Sequence, residues 1–137
     1  MYTLNCRGKL LVMDKPLVMG VINITPDSFY KESRRMLPED TLAQAQQMIA
    51  AGADIIDIGG QSTRPGSERI TAKEEAERVI PVVETIIQQF PGAVISVDTY
   101  YAAVAEKAVA AGASLINDIS SGDMDPDMIS TVAALQA

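Results

Sequence analysis

Two hydrophobic periods take turns along this chain, and that alternation limits its folds more than any other feature. Four short runs, Leu17–Asn23, Asp54–Ile58, Ala93–Asp98 and Ser114–Asn117, are too apolar to read as half-exposed strands, as expected for strands of a parallel sheet covered on both faces. Each run is followed by a stretch of helical period. Leu42, Ala45 and Ile49 share one face of the first, Pro38 suits its opening turn, and Gly52 suits the left-handed position past its end. Thr71 and Glu74 have capping-box spacing before the second, where Val79, Val82, Val83, Ile86 and Phe90 form a broad apolar face and Pro81 is placed to bend the start. A third helix is predicted from about Tyr100 to Ala111, with Val104, Ala108 and Ala111 inward and Gly112 as its stop, and a fourth from about Asp127 to Leu135. Strands and helices in single file mean parallel βα units. Ahead of them, Tyr2 to Val12 reads as a small hairpin turning at Gly8. The chain also repeats a device: AAGADIID at Ala50–Asp57 and AAGASLIN at Ala110–Asn117 lie 60 residues apart, two βα units.

Composition removes several function classes. The 137 residues, 47% of them hydrophobic, are enough for one domain with a core. A net charge of −7 and a pI near 4.4 argue against nucleic-acid or anionic-membrane partners, which require clustered Lys and Arg. Cys6 is the only cysteine and there is no histidine, so the chain holds neither an internal disulfide, nor an imidazole metal ligand, nor a Ser-His or Cys-His nucleophile. No apolar run reaches the ~20 residues that span a bilayer, and the N-terminus has no signal-peptide core, so a cytoplasmic protein is expected.

The runs share an ending. Asn23, Asp57, Asp98 and Asn117 each follow an apolar stretch at its carboxyl end, where a parallel sheet or barrel presents its ligand site. Period-two alternation puts Met19 and Val21 on the face of Asn23, Val94 and Ser96 with Asp98, and Leu115 with Asn117. Asp and Asn also end strands because they favour turns, but four around one opening cost roughly 1 to 3 kcal/mol for each group left unpaired. After Asp57, GGQSTRPGSER offers the hydroxyls of Ser62 and Thr63, backbone amides and the Arg64 fork, which suit phosphate oxygens and equally an ordinary polar loop. Beside Asn23, Thr25, Asp27 and Ser28 form a hard-oxygen set able to hold Mg²⁺, or a simple Asx-type turn.

VMGVINITPDSF, DIGGQSTRPGS, ISVDT and LINDIS, in this order over Val18–Ser120, resemble the dihydropteroate synthase family of pterin-binding enzymes. The resemblance implies a TIM (β/α)8 barrel that condenses 7,8-dihydropterin-6-ylmethyl diphosphate with 4-aminobenzoate, releasing diphosphate, with Mg²⁺ as cofactor. It implies that Asn23 contacts metal and diphosphate, and that Asp27, Thr63 and Arg64 form the catalytic set. Thr63 and Arg64 then also bind diphosphate and aminobenzoate, Asp98 and Asn117 read the pterin, and Phe29 is a lid residue near the aminobenzoate. Two positions depart from the family pattern: Lys31 stands in an acidic loop position, with Glu32 next to it, and Gln61 stands where Glu is usual.

A TIM barrel takes about 250 residues and eight strands, whereas only four barrel strands are predicted here. Residues 1–137 therefore read as the N-terminal half of a pterin-binding barrel domain: a hairpin and about the first four βα units, inactive alone, prone to self-association, and a homodimer when full length. Two other readings stand beside this one: a methyltetrahydrofolate-type methyltransferase domain and a non-catalytic fragment.

Overall fold

The computed structural model describes residues 1–24, 37–62 and 66–137, with the side chains of Leu37 and Pro38 outside the description. The predicted hairpin is present: β1 (Tyr2–Cys6) pairs antiparallel with β2 (Lys9–Met13), Cys6 opposite Lys9. Arg7 and Gly8 both turn at positive φ, 53° and 87°, as a two-residue hairpin turn of this hand requires. A parallel sheet follows, with β3 (Met19–Asn23), β4 (Ile55–Gly59), β5 (Ile95–Asp98) and β6 (Leu115–Asn117) side by side in chain order. The helices are α1 (Leu37–Ala50), α2 (Ala72–Gln89), α3 (Ala102–Ala110) and α4 (Met128–Leu135), and each packs against the next.

The core lies between sheet and helices. Ile22, Ile24, Ile56, Ile58, Ile95 and Val97 meet Val79, Val82, Val83 and Ile86 of α2, the face read from the sequence. The capping box also forms: Thr71 Oγ1 accepts from the Glu74 amide, and Glu74 Oε2 accepts from the Thr71 amide at 2.8 Å. The Thr71 amide, and after it the Thr71 hydroxyl donating to Glu74 Oε2 at 2.8 Å, hold the Glu74 carboxyl below its ordinary pKa.

The hairpin covers the amino-terminal end of the sheet. Cys6 is 1% exposed against Ile55 and Val94, with Leu11 and Leu115 packed beside them. The Arg7 guanidinium donates to the Val109 carbonyl at 2.9 Å and the Lys9 ammonium to the Ala93 carbonyl at 2.6 Å, pinning the ribbon to the ends of α3 and the lead-in to β5. Burial raises the Cys6 thiol pKa, which keeps it neutral and unreactive.

The sequence repeat is a repeated helix stop. Ala53 and Gly52 donate to the carbonyls of Met48 and Ile49, and Ala113 and Gly112 donate to those of Ala108 and Val109, the Schellman pattern in both copies. The glycines turn at φ 98° and 115°. They differ in surroundings: a Cβ at Gly52 would meet nothing within 4 Å, whereas one at Gly112 would meet Ile87 Cγ1 at 3.0 Å. Gly52→Ala is therefore expected to cost about 1 kcal/mol from the backbone alone, and Gly112→Ala about 2 kcal/mol or more, in urea denaturation.

Candidate active site

Strand register assembles the site. Asn23 pairs with Gly59, Gly59 with Asp98, and Asp98 with Asn117, so these residues form one rung at the carboxyl end of the sheet on the face away from the helices. Three of the four predicted strand-end groups meet there. Asp57 does not: β4 runs on to Gly59, which puts Asp57 one layer lower, on the rung of Val21, Ser96 and Leu115. Asp57 is the last polar residue of the run DIIDI, but Ile58 and Gly59 continue the ladder, and Ile24 extends it by donating to the Gly59 carbonyl at 2.7 Å.

That correction defines the shape of the site. A Cβ at Gly59 would stand 3.5 Å from Asn23 Oδ1 and 3.6 Å from Asp98 Oδ2, so the glycine keeps a gap between the two side chains. Asp57 lies on the layer below, 3% exposed. Its Oδ2 accepts from Asn117 Nδ2 at 3.3 Å, and its Oδ1 is buried with no hydrogen-bond partner among the described residues. Asn23 and Asn117 are exposed and Asp98 half-buried. Two of the three top-rung groups are thus not desolvated by the sheet, and the layer beneath is half polar because Asp57 and Ser96 occupy it.

The field of this opening is negative. Burial, then the charges of Asp57 and Asp118, push the Asp98 carboxyl pKa above its ordinary value. Asp118 is itself held by the loop after β6, accepting from the Ser120 amide and hydroxyl and the Gly122 amide, each at 2.8 Å. Acceptors concentrated on one buried floor suit a ligand edge rich in N–H donors. Asn23 offers a hard amide oxygen, while no group of three His, Cys, Asp or Glu able to hold a metal occurs among the described residues.

Asp27, Phe29, Thr63 and Arg64 lie outside the described residues, as do Thr25, Ser28, Lys31 and Glu32. The ends of the second loop are described. Ser67 Oγ donates to the Ser62 carbonyl at 2.7 Å, and the Tyr100 hydroxyl donates to Gln61 Oε1 at 2.9 Å. Gln61, one of the two departures from the family pattern, is thus bonded to the turn that follows Asp98.

A second layer behind the rung escaped the sequence reading. Glu75, on α2, is 1% exposed, and its Oε2 accepts from Thr99 Oγ1 at 3.2 Å. Burial raises its carboxyl to about 7, the Asp98 charge adds to the rise, and the Thr99 hydroxyl and Arg78 oppose it. Its signal was available: Glu75 shares the helix face of Ala76, Val79 and Val82, an apolar position carrying a charge.

Residues 19–137 match the family of pterin binding enzymes. The chain is 52% identical over 120 residues to dihydropteroate synthase of Bacillus subtilis, covering 88% of this chain and 42% of that protein. It is 49% identical over 123 residues to the mitochondrial folate synthesis bifunctional protein of Pisum sativum, covering 88% and 24%. Among solved structures, dihydropteroate synthase of Xanthomonas albilineans with 4-aminobenzoic acid superposes with a TM-score of 0.89 at 41% identity, over 98% of this chain and 49% of that one. The same enzyme in complex with 7,8-dihydropteroate gives 0.85 at 38% identity, over 99% and 48%. The chain thus spans half or less of the length of these relatives, and its four βα units are a partial (β/α)8 barrel preceded by the hairpin.

Proposed function

This chain belongs to the pterin-binding enzymes, and from that premise we propose that residues 1–137 are the N-terminal half of a dihydropteroate synthase domain. The full-length protein condenses 7,8-dihydropterin-6-ylmethyl diphosphate with 4-aminobenzoate in folate biosynthesis. The observation that carries this reading is the rung of Asn23, Asp98 and Asn117 above the buried Asp57 carboxyl, in a chain 52% identical over 120 residues to such an enzyme. The half-domain reading is supported by the two edge strands. Val18, Met19 and Val21 at the β3 edge, and Ile119 and Ile129 beyond β6, are exposed apolar groups where further strands and helices would pack.

In this reading Asp98 accepts paired N–H donors of the pterin's aminopyrimidine edge. Asn117, with one N–H engaged by Asp57, offers its carbonyl oxygen and the other N–H to the ring. Arg64 neutralises the diphosphate and Thr63 binds it, Asp27 belongs to the catalytic set, and Phe29 serves the aminobenzoate. Breaking the C–O bond to diphosphate leaves positive charge on the pterin methylene, which the fixed carboxylates of Asp57 and Asp98 stabilise. The aminobenzoate nitrogen then forms the C–N bond and loses its proton, with no covalent enzyme intermediate. The Asn23 oxygen fits an ion that keeps most of its waters, and bound Mg²⁺ would neutralise charge on the departing diphosphate. The full-length protein is proposed to be a cytoplasmic homodimer. No described helix is long and apolar enough to cross a membrane.

Calorimetry of residues 1–137 with the pterin diphosphate, with and without Mg²⁺, tests the site, and turnover with 4-aminobenzoate tests the half-domain reading. Metal-dependent heat with little or no turnover is expected. Binding of methyltetrahydrofolate in place of the diphosphate would replace the synthase assignment with a methyltransferase one, and no ligand heat at all would leave a non-catalytic fragment. Turnover at the rate of an intact synthase would overturn the half-domain reading.

A further inference from the structure

The second loop is fastened to α2 at its start and to the turn after Asp98 at its end, and both fastenings lie beside one buried acid, Glu75. At the loop's start, the Arg78 guanidinium donates to the Gly60 carbonyl at 3.0 Å. Gly60 also lies so close to α2 that a Cβ would meet Val79 Cγ2 at 2.8 Å and Glu75 Cγ at 3.2 Å. At the loop's end, the Tyr101 hydroxyl donates to the Ile70 carbonyl at 2.7 Å. Thr99 joins the two. Its hydroxyl donates to Glu75 Oε2 at 3.2 Å and accepts from the Tyr101 amide at 3.1 Å, while its own amide donates to the Asn117 carbonyl. Thr99 is 2% exposed, so no solvent competes for its hydroxyl.

We propose that Glu75 is a positioning residue for the ligand site, the buried acceptor that orients Thr99 and through it seats Tyr101 and the second loop beside Asp98. The chemistry follows from the inventory of a hydroxyl. An ionised Glu75 is acceptor-only, which forces Thr99 to donate and leaves its lone pairs facing the Tyr101 amide. A protonated Glu75 can donate instead, turning the Thr99 hydrogen away from the acid and adding a second donor to the oxygen that accepts from the Tyr101 amide. The clamp therefore has two hydrogen-bond arrangements, exchanged by one proton. With its carboxyl raised to about 7, Glu75 makes that exchange near neutral pH. The charges facing it are Asp98 at the end of β5, Arg78 on α2 and the Tyr101 hydroxyl ahead of α3, with Arg69 in the second loop acting on Tyr101. Asp98 and Glu75 repel, so a proton on one favours ionisation of the other.

The inference concerns how the proposed site is held, and its test needs no ligand, so its failure is distinguishable from failure of the synthase reading. Amide NMR titration of the chain from pH 5 to 9 is expected to show Tyr101 and Ile70 shifting together with one midpoint near 7. Glu75→Gln keeps an acceptor for Thr99 and should abolish that step while leaving the rest of the spectrum unchanged. Thr99→Val should uncouple Tyr101 and Ile70 from a Glu75 carboxyl that still titrates in its own side-chain resonance. Asp98→Asn should keep the step and move it to lower pH, because a like charge has gone. Persistence of the Tyr101 step in Glu75→Gln, or its loss in Asp98→Asn, would overturn the proposal by assigning the response to Asp98.

Discussion

Asp98→Asn is expected to lower affinity for a pterin ligand about a hundredfold at pH 8 without loss of fold. Asn keeps the shape of the side chain but removes the charge and replaces one acceptor with a donor, so it opposes an aminopyrimidine edge that presents N–H groups. Hydrogen bonds to a charged partner contribute about 1.5 to 3 kcal/mol each, and losing about 3 kcal/mol in total corresponds to about two decades in affinity. Stability should not suffer, because burial and the neighbouring charges of Asp57 and Asp118 already disfavour the Asp98 carboxylate. The wild-type pH profile carries the same signature. Affinity should fall on the acid side at a pH above that of an ordinary aspartate, and this limb should vanish in the variant. Calorimetry across pH with an unchanged thermal midpoint checks both parts. Equal affinity in the two proteins would remove Asp98 from the pterin site.

Much of this arrangement was legible in the sequence because it rests on local signals. The turn at Gly8, the stops at Gly52 and Gly112 and the Thr71–Glu74 cap each require a particular residue at a particular backbone geometry, and each is found where expected. The shared rung of Asn23, Asp98 and Asn117 was legible because period two fixes the face and the helix following each strand fixes the end. It failed at Asp57 because that residue was grouped with the strand ends although its run already continued to Ile58, and the Gly59 ladder pairing that sets the rung depends on neighbouring strands that a local reading does not contain. Asp57 became the floor of the site instead of part of its rim. Glu75 was hidden for a related reason: its neighbour Glu74 accounted for the acidic pair as a cap, and only the packing of α2 against the turn at Thr99 distinguishes the two. The hairpin was visible as a hairpin, but its closure of the amino-terminal end depends on Cys6 meeting Ile55 and Val94, contacts of long sequence separation.

Stability is expected to fall as pH rises from about 5 to about 8, opposite to the usual behaviour of a protein whose carboxylates are paired. The folded-state carboxyl of Glu75 lies near 7 against an ordinary 4.5, so between these values the folded chain holds a proton that the unfolded chain has released. Stability then decreases with pH across that window and levels off once Glu75 is ionised in both states. The raised carboxyl of Asp98 acts in the same direction. Glu74, whose carboxyl is lowered, acts in a separate and more acidic window, where its contribution is lost as pH falls through its folded value. For Glu75 the expected loss is about 2 kcal/mol, less than the rise from 4.5 to about 7 gives at about 1.4 kcal/mol per pKa unit, because part of it falls below pH 5 and the surroundings relax around the charge. Urea denaturation at pH 5, 6, 7 and 8 should show this slope in the wild type and most of it removed in Glu75→Gln, the two proteins converging at pH 5. At pH 8 the variant should be more stable by about 2 kcal/mol, several degrees in thermal midpoint. A wild-type profile that is flat or rises over this range would mean that Glu75 ionises without cost. A variant that gains stability while losing the neutral-pH response of Tyr101 would show that the buried charge is retained for the position of the loop, at the expense of the fold that carries it.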